Sequence, residues 1–443
     1  MTIAEEFARF GADFGKQPVA PDVLHHAKRA VIDWYAALLP GAVVAPATML
    51  ENALADELDK GACTLALGRK ASARAAALIN GTAAHTMEVD DIFREAIYHP
   101  GAPTIAAALA AAQAERADGT TFLNGVIAGY EISTRIGEAM GRAHYRFWHN
   151  TGTIGTFGAA AAASRIFGLD AERFAHALAM AATFAAGLQQ AFRSDSLCKP
   201  LHAGKAAENG LLAAQAAREG VTGTLDMLEG EAGMGRAMSG SPDWRAGLET
   251  LGRDFHITHI TFKNHACCGH TFAAIDGALE AQRRLKVKAG DITRVRVETY
   301  RTALDVAGIA NPKTASEARF SVAYVIATAL THGSVRLAAF EPTRLADPAT
   351  RALIGRIEIG VDEKIDAAFP GTRAALISIE TKDGRREQVL QPTRKGDPEQ
   401  PLTDAELEEK YRELAVPVLG EAKAANLLKR LWALESQVAL DLI

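Results

Sequence analysis

Apolar residues at Val23, Leu24, Ala27, Ala30, Val31, Trp34, Tyr35 and Leu38 recur every three or four positions, which is a helical period. Pro21 stands where a first helical turn tolerates proline, and Pro40-Gly41 closes the run. The same texture continues through Ala73–Met87, Gly101–Gln113, Phe122–Met140, Gly155–Phe167, Ala171–Ala185 and Lys205–Glu219, with Gly220 as a stop. Alternation of period two is almost absent up to about residue 260. A large all-helical bundle is therefore predicted for the first part of the chain.

The pattern then changes. Thr293–Tyr300, Arg356–Val361 and Ala375–Thr381 alternate apolar and polar residues like half-buried strands. Asp383-Gly384 supplies a turn and Glu387–Leu390 a return strand. Helices are predicted at Thr271–Leu285 and Ser316–Thr331. Residues 265–395 thus read as a smaller α+β domain. The stretch Gly396 to Pro401 has linker composition. Thr403 and Glu406 then form a capping-box pattern ahead of a charged helix. The expected architecture is mainly α: a discontinuous helical domain, 1–264 with 396–443, plus the α+β domain of 265–395.

Composition narrows the function classes. Hydrophobic residues make up 48% of the chain and charged residues 23%, as in an ordinary globular protein. Aromatics are only 6% and alanine is abundant, which favours closely packed helices. A net charge of −5 gives no electrostatic case for nucleic acid, so an anionic ligand must be met by a few local cations. The first residues lack the charged and apolar regions of a signal peptide, and no long charge-free apolar stretch predicts a membrane span. With four cysteines, two of them adjacent, a reducing, cytoplasmic setting is expected.

Four clusters could carry chemistry. The first is His85, Glu88, Asp90, Asp91 and His99, set around a predicted helix-to-loop junction. A solvated helix end would use the same residue types. The second runs from Gly141 to Phe157 and holds His144, Tyr145, His149 and Thr151 ahead of a Gly-rich helix start, where backbone N–H groups can hold a carboxylate. The His144–His149 spacing also suggests a metal pair, but no acidic or thiol partner lies nearby in sequence. The third, Ser196 to Lys205, holds Cys198, Lys199 and His202; Lys199 could equally be a surface lysine. The fourth holds Lys263, His265, Cys267, Cys268 and His270. It resembles a soft-metal set, yet adjacent cysteines in an extended segment converge poorly, so no metal is expected there. No Walker, dinucleotide or nucleophile-elbow motif is present.

These clusters, in this order, resemble the MmgE/PrpD family. The stretches that carry the resemblance are NGTAAHTMEVDD with HPGAP, GYEISTRIG, HYRFWHNTGTIGTFGAAAAASRIFGLD, KPLHAGKAAENGLLAA, FKNHACCGHTFAAID and ARFSVAYVIATAL. The family includes 2-methylcitrate dehydratases, cis-aconitate decarboxylases and iminodisuccinate epimerases. The resemblance implies a helical and an α+β domain, an active site in the cleft between them, a homodimer, and neither metal nor organic cofactor. By motif position it assigns reaction roles to His99, His149, Lys199, Lys263 and Tyr324. Glu88, Asp91, Tyr145 and Cys268 are expected to contact substrate. Glu88 replaces a more usual Asp, Ile92 replaces a hydroxyl residue, and Cys268 stands where animal cis-aconitate decarboxylase has histidine.

The chemistry such residues can perform is proton movement beside a carboxylate. Lysines stabilise the charge that builds on carboxylate oxygens, while histidines or a tyrosine take up and deliver protons. Dehydration of a 2-methylcitrate-like di- or tricarboxylate is the leading expectation. Epimerisation of an iminodisuccinate-like substrate and decarboxylation of the cis-aconitate kind are the alternatives. A non-catalytic dicarboxylate-binding protein would not need so many histidines and lysines together.

Overall fold

In a computed structural model, residues 1–192 and 196–441 are described. The chain forms two compact units, Met1–Thr261 with Thr403–Ile443, and Phe262–Leu402. The Gly396–Pro401 stretch falls inside the second unit.

The first unit is built on the helices Pro21–Ala42, Gly101–Glu115, Gly119–Tyr145, Asn150–Ile166 and Cys198–Arg218. Gly101–Glu115 has small residues on every face and is buried from Gly101 through Gln113, so it serves as a central rod. Small side chains let the neighbouring backbones come close. A Cβ added to Gly204 would stand 2.2 Å from the Leu78 carbonyl oxygen, and one added to Gly129 would stand 2.6 Å from that of Gly158. The chain's last helices return to this unit. Asp404–Leu419, capped by Thr403 and Glu406, packs on Pro21–Ala42. From it the buried Lys410 Nζ reaches Asp33 Oδ1 at 2.5 Å and the Val89 carbonyl at 2.6 Å.

Two differences from the predicted elements matter for the site. The helix expected through Met87 ends at Ala84, with His85 as its C-cap. Residues 86–99 then run as an irregular segment. It is pinned by reciprocal Ile92–Thr261 bonds of 2.9 and 2.8 Å and closed on itself by Phe93–Tyr98 bonds of 2.7 and 3.1 Å. Glu88 and Ile97 in this segment have φ of 59° and 49°. Such left-handed conformations are costly for residues with a Cβ, most of all for a β-branched one, and persist where the surroundings over-determine them. Second, the helix expected from Lys205 begins at Cys198, with Pro200 in the first turn where its missing N–H costs nothing. Lys199 and His202 therefore sit on one helix, three residues apart. A short hairpin of Leu58–Thr64 and Lys70–Ala71 was not expected; its exposed, non-alternating strand leaves no period-two signal.

In the second unit, four strands lie in the order Ile357–Val361, Ile292–Thr299, Ala375–Thr381, Arg386–Gln391. The first pair is parallel and the others antiparallel, with Gly384 (φ 83°) in the final turn. One sheet face, with Val295, Val297, Ile377 and Ile379, is buried in a core with Phe272–Leu285 and Val322–His332. The other face carries Arg294, Arg296, Glu298 and Glu380, the one-sided burial expected of such strands. The helix predicted over Ser316–Thr331 is two, Ala315–Arg319 and Val322–His332; Ser321 restarts it by accepting the Tyr324 N–H at 3.2 Å. Mainly α with a small α+β unit is thus the observed class. Among the described residues no single helix is long and apolar enough to cross a membrane.

Candidate active site

The helix end at His85, the irregular segment after it and the starts of two later helices bring seven polar side chains of the first unit together. His85 Nδ1 lies 2.7 Å from Asp90 Oδ2, and His99 Nδ1 lies 3.3 Å from the same oxygen. The His85 ring meets that of His99 edge-on at 4.9 Å and stacks on that of His149 at 5.4 Å. His149 is the N-cap of Asn150–Ile166; its N–H donates to the Gly187 carbonyl at 2.9 Å. Its Nδ1 faces His202 Nδ1 at 3.0 Å, and its ring packs against Phe192 at 4.7 Å. Lys199 ion-pairs with Glu88, and its ammonium lies 5.5 Å from the centre of the Phe192 ring.

Burial sets the protonation of this cluster. His85 is fully buried, and desolvation outweighs the pull of Asp90, bringing its pKa down to about 4. Burial, followed by the positive potential of neighbouring groups, holds His149 well below the usual histidine range. His202 is lowered as well, by burial and then by Lys199. At neutral pH these three imidazoles are uncharged, so each presents one N–H and one lone pair. A neutral base next to an ammonium group in a water-poor site suits removal and return of a proton beside a carboxylate.

The three carboxylates of the 88–91 stretch have separate surroundings. Glu88 pairs with Lys199, and Asp90 with the two histidines. Asp91 points into the fold, where its oxygens accept the Tyr130 hydroxyl at 2.7 Å and the Gly101 N–H at 3.0 Å. Burial and then the nearby Asp33 push its pKa up to about 8. Among the residues expected to contact substrate, Asp91 thus lies against the start of the central helix. Tyr145 is half-buried in the last turn of Gly119–Tyr145, just past a break at Gly141 (φ 65°). His144 is engaged by Thr153 Oγ1 at 2.7 Å and the Met238 carbonyl at 3.3 Å.

In the second unit Lys263, Cys268 and Tyr324 are all buried. The Tyr324 hydroxyl donates to the Ala339 carbonyl at 2.5 Å, and burial raises its pKa, so it stays protonated. The histidines of the 265–270 motif go separate ways. His265 Nε2 lies 2.8 Å from Asp276 Oδ1, and His270 Nδ1 lies 2.9 Å from the Tyr300 hydroxyl. By contrast, His85, Asp90 and His99 present ligand atoms all within 4.8 Å of one another, a spacing a divalent ion could span.

Three residues of the cluster went unassigned in the sequence reading: His85, Asp90 and His202. For His202 a signal existed, since a residue three after Lys199 shares its helix face. For Asp90 over Asp91 none did, because the choice depends on the left-handed turn at Glu88.

A helical unit with buried neutral histidines, carboxylates and a lysine, joined to a small α+β unit, holds the groups that acid–base chemistry needs. The chain belongs to the MmgE/PrpD family: residues 5–247 match the model of the MmgE/PrpD N-terminal domain and residues 265–434 that of the MmgE/PrpD C-terminal domain. It is an enzyme of the lyase class. The cis-aconitate decarboxylase-like protein oryM of Aspergillus oryzae is 28% identical, over 98% of this chain and 95% of that protein. Human cis-aconitate decarboxylase is 28% identical over 81% of this chain and 76% of its own length. That of Aspergillus terreus is 26% identical over 96% and 91%.

Proposed function

We propose that this lyase decarboxylates a small unsaturated tricarboxylate of the cis-aconitate type. The observation that carries the reading is the pairing of His85 and His99 with Asp90, with the His149 ring stacked on His85 and Lys199 beside them. The relatives' names favour decarboxylation over the dehydration put first from the sequence alone, and this corrects that order. In the proposed step the bond from carbon to one carboxylate breaks and carbon dioxide leaves. The electron pair left behind shifts the double bond, and the far olefinic carbon takes up a proton. Lys199 steadies the remaining carboxylates as charge moves toward them, and a histidine of the cluster delivers the proton. Lys263 and Tyr324 are proposed to serve the same reaction, as cation and proton donor, and Cys268, Glu88, Asp91 and Tyr145 to shape substrate recognition. A homodimer in the cytoplasm completes the proposal.

The test is a panel of cis-aconitate, 2-methylcitrate and iminodisuccinate, followed by carbon dioxide release and by proton NMR of the products. Release of one carbon dioxide per cis-aconitate consumed is expected. Water loss from 2-methylcitrate without carbon dioxide would restore the dehydratase reading. Racemisation without a new double bond would favour the epimerase.

A further inference from the structure

We propose that Asp90 is the positioning residue of the site: it fixes His99 in the form that carries its hydrogen on Nδ1, and His85 holds Asp90 in place to do so. This rests on the reading that His99 exchanges a proton with substrate. The geometry supplies three independent reasons.

First, one oxygen is shared. Asp90 Oδ2 lies 2.7 Å from His85 Nδ1 and 3.3 Å from His99 Nδ1, so both rings turn the same nitrogen toward one carboxylate. A carboxylate accepts and does not donate, so His85 Nδ1 carries the hydrogen of the bond it makes. The His99 contact is an ion-pair distance not aligned as a hydrogen bond, and a hydrogen on its Nδ1 is the form that lets that ring turn onto Asp90 and leaves Nε2 its lone pair. Second, the two histidines are not equivalent. The His99 side chain is 16% exposed and that of His85 0%, so His99 is the one that can meet a ligand, and His85 is left to support. Third, the backbone around Asp90 is held from both sides. Lys410 grips the carbonyl of Val89, and Ile92 is bonded to Thr261. The neighbouring carboxylates are committed elsewhere, Glu88 to Lys199 and Asp91 to Tyr130 and Gly101.

When His99 accepts a proton, the Asp90 carboxylate lies against the new positive charge in a site with little water, where such a pair is strong. The N–H of His85 gives that carboxylate a second donor, which keeps it charged and its plane fixed. Asp90 therefore acts through His99 and not on the substrate.

The test uses the full chain labelled with 15N-histidine, without substrate, with the His99 signals identified from their loss in a His99→Gln protein. His99 protonated on Nδ1 is the expected wild-type state. In Asp90→Asn that single form should be lost. Its kcat, on whichever carboxylate the chain turns over, should fall at least about 100-fold with KM within about threefold, because the loss is of proton transfer and not of binding. His85→Asn should give the same sign with a smaller loss. His99 protonated on Nε2 in the wild type would overturn the proposal, as would an Asp90→Asn protein with raised KM and unchanged kcat. So would a stoichiometric divalent ion in the purified protein that His85→Asn removes. If Asp90→Asn does not fold, the wild-type tautomer alone decides. The tautomer is read without substrate, so failure of the decarboxylase reading would leave it untouched.

Discussion

Two stretches of this chain are equally rich in histidine and in possible ligands, and they fold to opposite ends. In 85–99, two histidines turn to one carboxylate oxygen, and a third, from the start of another helix, stacks on His85. In 263–270, His265 takes Asp276 and His270 takes Tyr300, each satisfied by its own partner. The first arrangement leaves His85 and His149 as neutral imidazoles beside a lysine, ready for proton transfer. The second spends its histidines on holding the second unit together. Density of reactive residue types is common to both; convergence distinguishes them.

The largest expected effect breaks the first cluster. His149→Ala and His99→Ala should each lower kcat by about 10²- to 10⁴-fold, the range of a lost acid or base, with thermal midpoints close to wild type. Lys199→Met should lower kcat/KM by about 10²- to 10³-fold, as when one charge-stabilising donor is removed. Steady-state kinetics alongside thermal melts check all three; near-normal turnover in any would remove that residue from the mechanism.

Next is a variant that tests the support and not the chemistry. Lys410 pairs with Asp33 under the Val89 carbonyl, with almost no exposure on either side. Lys410→Met strands a buried carboxylate and should cost about 3–5 kcal/mol in chemical denaturation. A cost below about 1 kcal/mol would mean that the pair is not the anchor of the 86–99 segment.

Acid should act on the first unit before the second. His85, His144 and His256 have pKa values of about 4, 4 and 3, and His149 also lies well below its ordinary range, all from burial first. Lowered values mean that the unfolded chain binds more protons, so stability is present above about pH 6.5 and is lost as pH falls toward 4. Asp91 and Glu131, raised to about 8 and 7 by burial, act with the opposite sign, losing stability as pH rises through those values. Four histidines outweigh two carboxylates between pH 4 and 6.5. Hydrogen exchange at pH 5 should therefore show residues 1–261 loosening first; earlier loss in 262–402 would contradict the assignment.

The smallest effect sharpens the other side. His265→Asn and His270→Asn each break one buried hydrogen bond and should cost about 1–3 kcal/mol of stability, with kcat within about tenfold. A large kcat loss at unchanged stability would move the second cluster into the chemistry.

Much of this was readable in the sequence, and the failures have physical causes. Helical periodicity marked the first unit because its helices bury long apolar faces, and alternation marked Ile292–Thr299 and Ala375–Thr381 because their sheet buries one face. Leu58–Thr64 went unseen because most of its residues face solvent. In the site, family motifs pointed to His99, His149 and Lys199. They did not separate Asp90 from Asp91, since adjacent carboxylates are told apart only by a backbone turn at Glu88 that ordinary propensity disfavours. His85 looked like part of a helix that ends one residue before it.

The most direct measurement is turnover of cis-aconitate in heavy water, followed by NMR in wild type, His149→Asn and His270→Asn. The account predicts one deuterium on a product carbon for each carbon dioxide released, lost with turnover in His149→Asn and retained in His270→Asn. Deuterium incorporation that survives in His149→Asn, or that vanishes in His270→Asn at unchanged stability, would contradict it.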